Sequence, residues 1–305
     1  MKYALIGCGR ISPNHIAAAK ANNLEIVAVC DIVPENMDDK ILKFDLPDSV
    51  RKYTDYKQML ESEKPELAAI ATESGKHAQI ALDCIEAGCN VIIEKPIALS
   101  LKDADAIIEA AERTGVKVCA CHQNRFNKSV QKIREAVEKK RFGRMFYGTA
   151  HIRWNRGYEY YSRAKWRGTW EQDGGALIVE GTTDIYPQNL EETLYLFGEK
   201  GTVKAGGQSV NIIEEWRFSD MLDDPDEVKA HYHEAPPNVY GFGHTPLYAD
   251  VIDAIQTDRA PYVDARAGRR ALELVLAIYK SAAEGKRISF PLEDCSTTDF
   301  VNRFQ

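Results

Sequence analysis

Nothing in this 305-residue chain is apolar for long enough to cross a membrane as a helix, so no membrane partner is expected. The opening Met1-Lys-Tyr-Ala-Leu-Ile6 runs straight into a strand pattern, without the basic, apolar and small-residue sections of a secretory leader. Positive charge is in deficit. The 39 basic residues against 46 acidic ones leave a net charge of −7, which speaks against nucleic acid and anionic lipid as general partners. Seven cysteines, an odd number scattered through apolar segments, suit reduced thiols in the cytoplasm rather than a disulfide framework. Cys119-Ala-Cys121 lacks zinc-ligand spacing, and His231-Tyr-His233, which could face one way on a strand, has no third ligand nearby, so no metal is expected. Internal repeats and low-complexity tracts are also missing. What is left, 44% apolar and 28% charged residues, describes an ordinary globular protein with length enough for two domains.

The first part of the chain alternates strand-like and helix-like patterns. Lys2–Ile6 reads as a strand, Gly7-Cys-Gly9-Arg10-Ile11-Ser12 as a turn, Pro13 to Asn22 as a helix, and Glu25–Cys30 as a second strand ending in Asp31. Glycines there permit a tight turn and the close approach of a pyrophosphate, which rests on the N-terminus of the helix. A carboxylate about twenty residues on accepts hydrogen bonds from ribose hydroxyls and repels a 2′-phosphate, so Asp31 favours NAD over NADP. Ser12 stands where a third glycine is usual. Helices are expected over 34–44, 56–62, 77–87 and 101–114, the last capped by Ser100, with strands over 67–71, 90–93 and 116–121. This predicts a doubly wound parallel sheet of the Rossmann kind over residues 1–121. The strand Asn90–Ile93 ends in Glu94-Lys95-Pro96, which places a carboxylate and an amine at the edge where ligands sit in open α/β sheets. Taken alone, Lys95 reads equally well as a solvated surface lysine.

From residue 122 the character changes to a smaller α+β domain with an open, mostly antiparallel sheet, assigned to 122–305. A helix is expected over 128–140, strands over 144–154, 177–186, 192–197 and 202–205, and helices over 245–257 and 265–283. The acidic stretch 220–227 reads as a solvated loop. Arginine and aromatic residues interleave in Arg153-Trp-Asn-Arg-Gly-Tyr-Glu-Tyr-Tyr-Ser-Arg163 and Trp166-Arg-Gly-Thr-Trp170. They suit stacking on a nucleotide and paired contacts to phosphate, or equally a subunit contact.

On the glycine turn, Asp31, Glu94-Lys95-Pro96, His122-Gln-Asn-Arg-Phe126 and Trp166-Arg-Gly-Thr-Trp170, the chain resembles the Gfo/Idh/MocA oxidoreductases over almost its whole length. The tail from Tyr240-Gly-Phe-Gly-His244 to Pro291-Leu-Glu-Asp-Cys-Ser-Thr-Thr-Asp299 is most similar to the branch that oxidises the 3-hydroxyl of UDP-N-acetylglucosaminuronate with NAD. The resemblance implies a homo-oligomer, dimer or tetramer, acting on a sugar or nucleotide sugar. Lys95 is then the catalytic lysine, hydrogen-bonded to the reacting hydroxyl, where an ammonium stabilises developing alkoxide. Gly7, Gly9, Arg10, Ile11, Asp31, Thr72, His77, Glu94, Lys95, Asn124, Trp166 and Arg167 fall at cofactor positions, and Lys95, Arg125, Tyr240 and His244 at substrate positions. For Tyr240 and His244, packing at a helix start is an equally good reading.

One departure stands out. The family follows its Gly-Gly-Ala-Leu stretch with a helix that carries a histidine, the expected proton acceptor. Here Asp173-Gly-Gly-Ala-Leu177 runs into Ile178-Val-Glu-Gly-Thr-Thr-Asp-Ile-Tyr-Pro187, which resembles a family strand from several tens of residues later. An internal deletion after Leu177 is implied, with a smaller second sheet, altered subunit pairing, NAD binding intact, and little turnover near neutral pH, where lysine is ordinarily protonated. A non-catalytic NAD(H)-binding protein is the alternative.

Overall fold

The computed structural model describes residues 1–153, 158–162, 164–175, 191–236 and 240–304. The first part forms six short parallel strands, all but the third from an apolar run: β1 (Lys2–Ile6), β2 (Glu25–Cys30), β3 (Arg51–Tyr53), β4 (Leu67–Ile70), β5 (Asn90–Glu94) and β6 (Val118–Cys121). Between them run α1 (Ser12–Ala21), α2 (Pro34–Lys43), α3 (Tyr56–Glu63), α4 (His77–Glu86) and α5 (Leu101–Thr114). The strand order β3-β2-β1-β4-β5-β6 reverses direction at β1, so the crevice beyond the carboxyl ends of β1 and β4 is the switch point where such sheets take ligands. Every residue of β4 and β6 is buried, as expected of strands covered on both faces. Of these six strands, β3 is the one without a counterpart in the expected elements, and β10 of the second sheet, Ile212–Phe218, has none either. At three residues, polar and largely exposed at the sheet edge, β3 carries no periodic signal.

The second part supplies α6 (Lys128–Glu138), β7 (Met145–Arg153), α7 (Tyr158–Ser162), β8 (Glu191–Gly198), β9 (Gly201–Gly206), β10 (Ile212–Phe218), α8 (Pro225–His231), α9 (His244–Gln256) and α10 (Ala265–Glu284). Strands β7 to β10 form an antiparallel sheet in the order β10-β9-β8-β7. Its core gathers Ile133, Phe142, Val203, Ile213, Trp216 and Val228. The strand expected over 177–186 lies outside the described residues, as do residue 154 of the strand expected over 144–154 and residues 154–157 and 163 of the arginine–aromatic stretch.

Two expectations need correction here. The acidic stretch 220–227 is not a plain solvated loop. Asp220 and Asp223 clamp the Arg141 guanidinium, Lys132 pairs with Asp223, and Asp224 caps α8 by accepting from the N–H groups of Asp226 and Glu227. The cations pull the Asp220 and Asp223 carboxyls below the usual range, opposed at Asp223 by burial. His231 ends that helix and does not lie on a strand, so the two-histidine face does not exist.

The described residues of Met1–His122, Ala164–Ile178 and Leu247–Gln305 form one compact unit, and those of Gln123–Arg163 and Val179–Pro246 another. The segment from 164 and the tail from 247 thus belong to the unit of the parallel sheet. Ala120 donates its N–H to Val263 at 3.0 Å, Leu101 to Cys295 at 3.0 Å, and Thr297 to Leu99 at 3.0 Å. Gly268 of α10 lies so near Ala120 and Ile97 that a Cβ there would come within 2.7 Å of the Ala120 methyl. Among the described residues no helix is long and apolar enough to cross a membrane.

Candidate active site

The glycine turn is fixed by the backbone on both sides. Gly7 has φ +95°, and a Cβ there would meet the Ala71 carbonyl at 2.5 Å, so no side chain fits between β1 and β4. Ser12, which stands where a third glycine is usual, donates its hydroxyl to the Gly9 carbonyl at 2.6 Å and closes the turn. No side chain caps the N-terminus of α1, so its first-turn N–H groups are not taken up by a cap. A Cβ on Gly9 would meet no protein atom within 4 Å, so the turn faces open space. Arg10 is exposed and Ile11 half-buried beside it.

Asp31 sits at the end of β2 and accepts from the N–H of Cys8 at 2.7 Å, the N–H of Val33 at 2.9 Å and the Asn36 amide at 3.2 Å. A carboxylate offers about four acceptor positions, so capacity remains for a hydroxyl. An open glycine turn, an uncapped helix start and a carboxylate tied to that turn fit a dinucleotide's pyrophosphate and ribose.

At the ends of β4 and β5 stand Thr72, His77, Glu94 and Lys95. His77 is buried, and its ring nitrogens face the carbonyls of Pro96 at 2.7 Å and Thr72 at 3.2 Å. It ties the two loops together, and burial lowers its pKa. Lys95 is exposed. Glu94, in contrast, is 6% exposed; it accepts the Lys95 N–H at 3.2 Å and lies 3.1 Å from His15 Nε2. The other nitrogen of His15 lies 2.8 Å from the Tyr248 hydroxyl, itself 2.9 Å from that of Tyr3. The thiol of Cys121 also lies beside Glu94, and burial holds it well above the ordinary thiol range. Sequence reasoning missed His15 and Tyr248. The available signal was a histidine on the buried face of α1, with Ser12, Ile16, Ala18 and Ala19.

Trp166 and Arg167 lie in the segment that packs with the parallel sheet, the guanidinium 5.5 Å from the indole centroid. Gly75 donates its N–H to the Gln172 carbonyl at 3.0 Å, joining this segment to the loop after β4. Trp170 anchors it among Tyr279, Phe300 and Phe304, with Thr297 donating to the Trp170 carbonyl at 2.7 Å.

In the other unit, Asn124 and Arg125 occupy a 3-10 turn over Gln123–Phe126. Asn124 donates to Glu192 at 3.4 Å, and burial pushes the Glu192 carboxyl up to about 7. Tyr240 is half-buried and His244 buried, and the loop that joins them packs on the same turn, since a Cβ on Gly243 would strike the Gln123 carbonyl. The structure thus gathers Asn124, Arg125, Tyr240 and His244 in one unit, and the remaining candidates in the other. Glu192 was missed because its neighbour Glu191 makes the pair look like a solvated strand start.

Residues 1–122 match an oxidoreductase family described as GFO_IDH_MocA, NAD-binding Rossmann fold, and residues 185–290 match that family's C-terminal alpha/beta domain. Among solved structures, the WlbA dehydrogenase of Bordetella pertussis, in complex with NADH and UDP-GlcNAcA, is 33% identical with TM-score 0.86, covering 96% of this chain and 98% of that one. The WlbA enzyme of Chromobacterium violaceum, with the same two molecules, is 31% identical with TM-score 0.83, covering 96% of each. Of the curated relatives, D-apiose dehydrogenase of Paraburkholderia graminis is 31% identical over 211 residues, 69% of this chain and 53% of that protein. The chain therefore spans about half the length of that relative.

Proposed function

The chain belongs to the Gfo/Idh/MocA oxidoreductase family, and from that premise we propose that it binds NAD and oxidises a sugar hydroxyl, C3 of a UDP-N-acetyl-hexosaminuronate. The likeness over 96% of the chain to a dehydrogenase held with NADH and UDP-GlcNAcA carries the reading. Gly7, Gly9, Arg10 and Ile11 hold the pyrophosphate, and Asp31 the adenosine ribose. Thr72, Asn124, Trp166 and Arg167 meet the rest of the cofactor, while His77 acts from behind by holding its two loops and Glu94 by holding the lysine. When bound, NAD supplies a nicotinamide that accepts hydride from the sugar carbon. Lys95 donates a hydrogen bond to the reacting hydroxyl and stabilises negative charge on that oxygen. Arg125 meets the anionic part of the substrate, with Tyr240 and His244 beside it. Exposed Phe146, Tyr147 and Ile152 on β7 support a homo-oligomer, and seven buried cysteines without disulfides support a reducing, cytoplasmic compartment.

The run from Leu177 directly into Ile178-Val-Glu-Gly supports a second reading, a non-catalytic NAD(H)-binding protein, because it leaves out the family's histidine. Without that acceptor the hydroxyl's proton goes to hydroxide from solvent while Lys95 stabilises the oxygen, so turnover is slow near neutral pH and rises with hydroxide. The test follows NADH formation across pH with UDP-N-acetylglucosaminuronate, beside NAD titrations, in the unmodified protein and Lys95→Met. Turnover that Lys95→Met lowers about a hundredfold, at unchanged NAD affinity, is expected. NAD binding with no turnover at any pH overturns oxidation in favour of the second reading.

A further inference from the structure

A buried row of polar side chains runs behind Lys95. Tyr3 on β1, Tyr248 on α9, His15 on α1 and Glu94 on β5 follow one another at 2.9, 2.8 and 3.1 Å, and Glu94 accepts from the Lys95 N–H at 3.2 Å. Tyr3, His15 and Tyr248 are all 0% exposed. Burying polar groups this deeply is unfavourable unless each is satisfied, and here each lies within hydrogen-bond distance of the next. A carboxylate only accepts, so His15 donates through Nε2; its Nδ1 pairs with the Tyr248 hydroxyl, and that hydroxyl with the one of Tyr3. Both oxygens of Glu94 are thereby engaged from the protein interior, one by the imidazole and one by the backbone of the residue that carries the amine.

We propose that His15, tethered by Tyr248, is a positioning residue that fixes the Glu94 carboxylate and, through it, the main chain of Lys95. The inference rests on the role given to Lys95 above, but it is tested separately. Glu94 is buried and turned toward His15, so it acts on the lysine's setting from behind. The row also couples the site to α9. A helix far along the chain sets the orientation of an imidazole on the glycine-turn helix. The same residues raise a rival: His15, Glu94 and Cys121 bring a nitrogen, an oxygen and a sulfur within 4.8 Å of one another, as metal ligands would be. Burial keeps the Cys121 thiol protonated well above its ordinary range, which disfavours the thiolate that a metal needs.

Three variants separate positioning from plain stability. His15→Ala removes two bonds and Tyr248→Phe one, while His15→Gln keeps an N–H toward Glu94 and an oxygen toward Tyr248. The lysines of each protein are reductively methylated with ¹³C-formaldehyde, and the Lys95 signal is identified by its loss in Lys95→Arg. In parallel, unmethylated samples are assayed with NAD and UDP-N-acetylglucosaminuronate. The expected result is a displaced Lys95 signal in His15→Ala and Tyr248→Phe that returns in His15→Gln. With it, kcat should fall about tenfold to a hundredfold, follow the same rescue, and leave sugar KM changed by no more than about twofold. An inactive unmodified protein defeats the oxidation reading alone, and the Lys95 signal then decides. Should His15→Ala not fold, Tyr248→Phe against His15→Gln carries the comparison. A Lys95 signal that is the same in every folded variant overturns the proposal. So does stoichiometric zinc in the unmodified protein, lost in His15→Gln.

Discussion

Asp31 shows how one side chain serves two levels at once. Its carboxylate accepts from the Cys8 and Val33 backbones, so it shapes the glycine turn as well as offering an acceptor to a ribose. Asp31→Ala should therefore weaken NAD by about 1–3 kcal/mol, relax discrimination against NADP, and lower the melting temperature even without cofactor. Titration that finds NADP bound more tightly than NAD by the unmodified protein would remove Asp31 from this role. Glu192 makes a prediction about pH. Its ordinary value is 4.5, and burial pushes it up to about 7 in the folded chain. Between those values the folded state binds more protons than the unfolded one, so stability is lost as pH rises through the window. Glu192→Gln carries no such penalty. It should melt higher than the unmodified protein above pH 7, with the gain shrinking towards pH 4.5. A gain that does not change with pH would mean that the carboxyl is not the cause.

Among the elements, the segment that carries Trp166 and Arg167 is held by its neighbours more than by its own structure. Trp170 stacks on Phe304 with centroids 5.7 Å apart and meets Tyr279 edge-on at 5.1 Å. Trp170→Ala should cost roughly 2 kcal/mol, less than the 3–5 kcal/mol of a wholly buried ring, because the indole is only half-buried. If Trp166 and Arg167 touch the cofactor, NAD affinity falls with it. Unchanged affinity in a folded variant would take the segment out of the cofactor site. The acidic stretch gives a smaller test: Asp224→Ala should cost about 1 kcal/mol through loss of the α8 cap, measured by denaturant unfolding.

At the scale of the whole chain, the parallel sheet is completed by residues far from it in sequence. Leu247, Tyr248, Val251, Leu272 and Leu276 are all buried, and the Cys119–Asp264 bridge adds the tail to the edge of β6. A fragment limited to residues 1–122 should expose that apolar surface and bind a hydrophobic dye, though it contains every strand of the Rossmann sheet. A fragment that melts cooperatively and binds NAD as the full chain does would show that the tail is dispensable.

Local chemistry made much of this protein legible in sequence. Apolar runs of four to six residues between helical stretches dictate the parallel sheet, and β2, α5 and the capping Ser100 lie where their patterns place them. The glycine turn and Asp31 are equally local, because a left-handed backbone and a carboxylate at fixed spacing leave few alternatives. Charge and exposure, in contrast, depend on what comes from elsewhere. The acidic run looked solvated until Arg141 and Lys132 were brought to it from about eighty and ninety residues away. His15 and Glu94 are unremarkable residues 79 positions apart until the fold sets their side chains at 3.1 Å, with Tyr248 a further 233 positions from His15. Period and spacing report which face of an element is apolar, but they carry no information about which distant element will cover it; that was decided by the packing of α9 and α10 on the sheet.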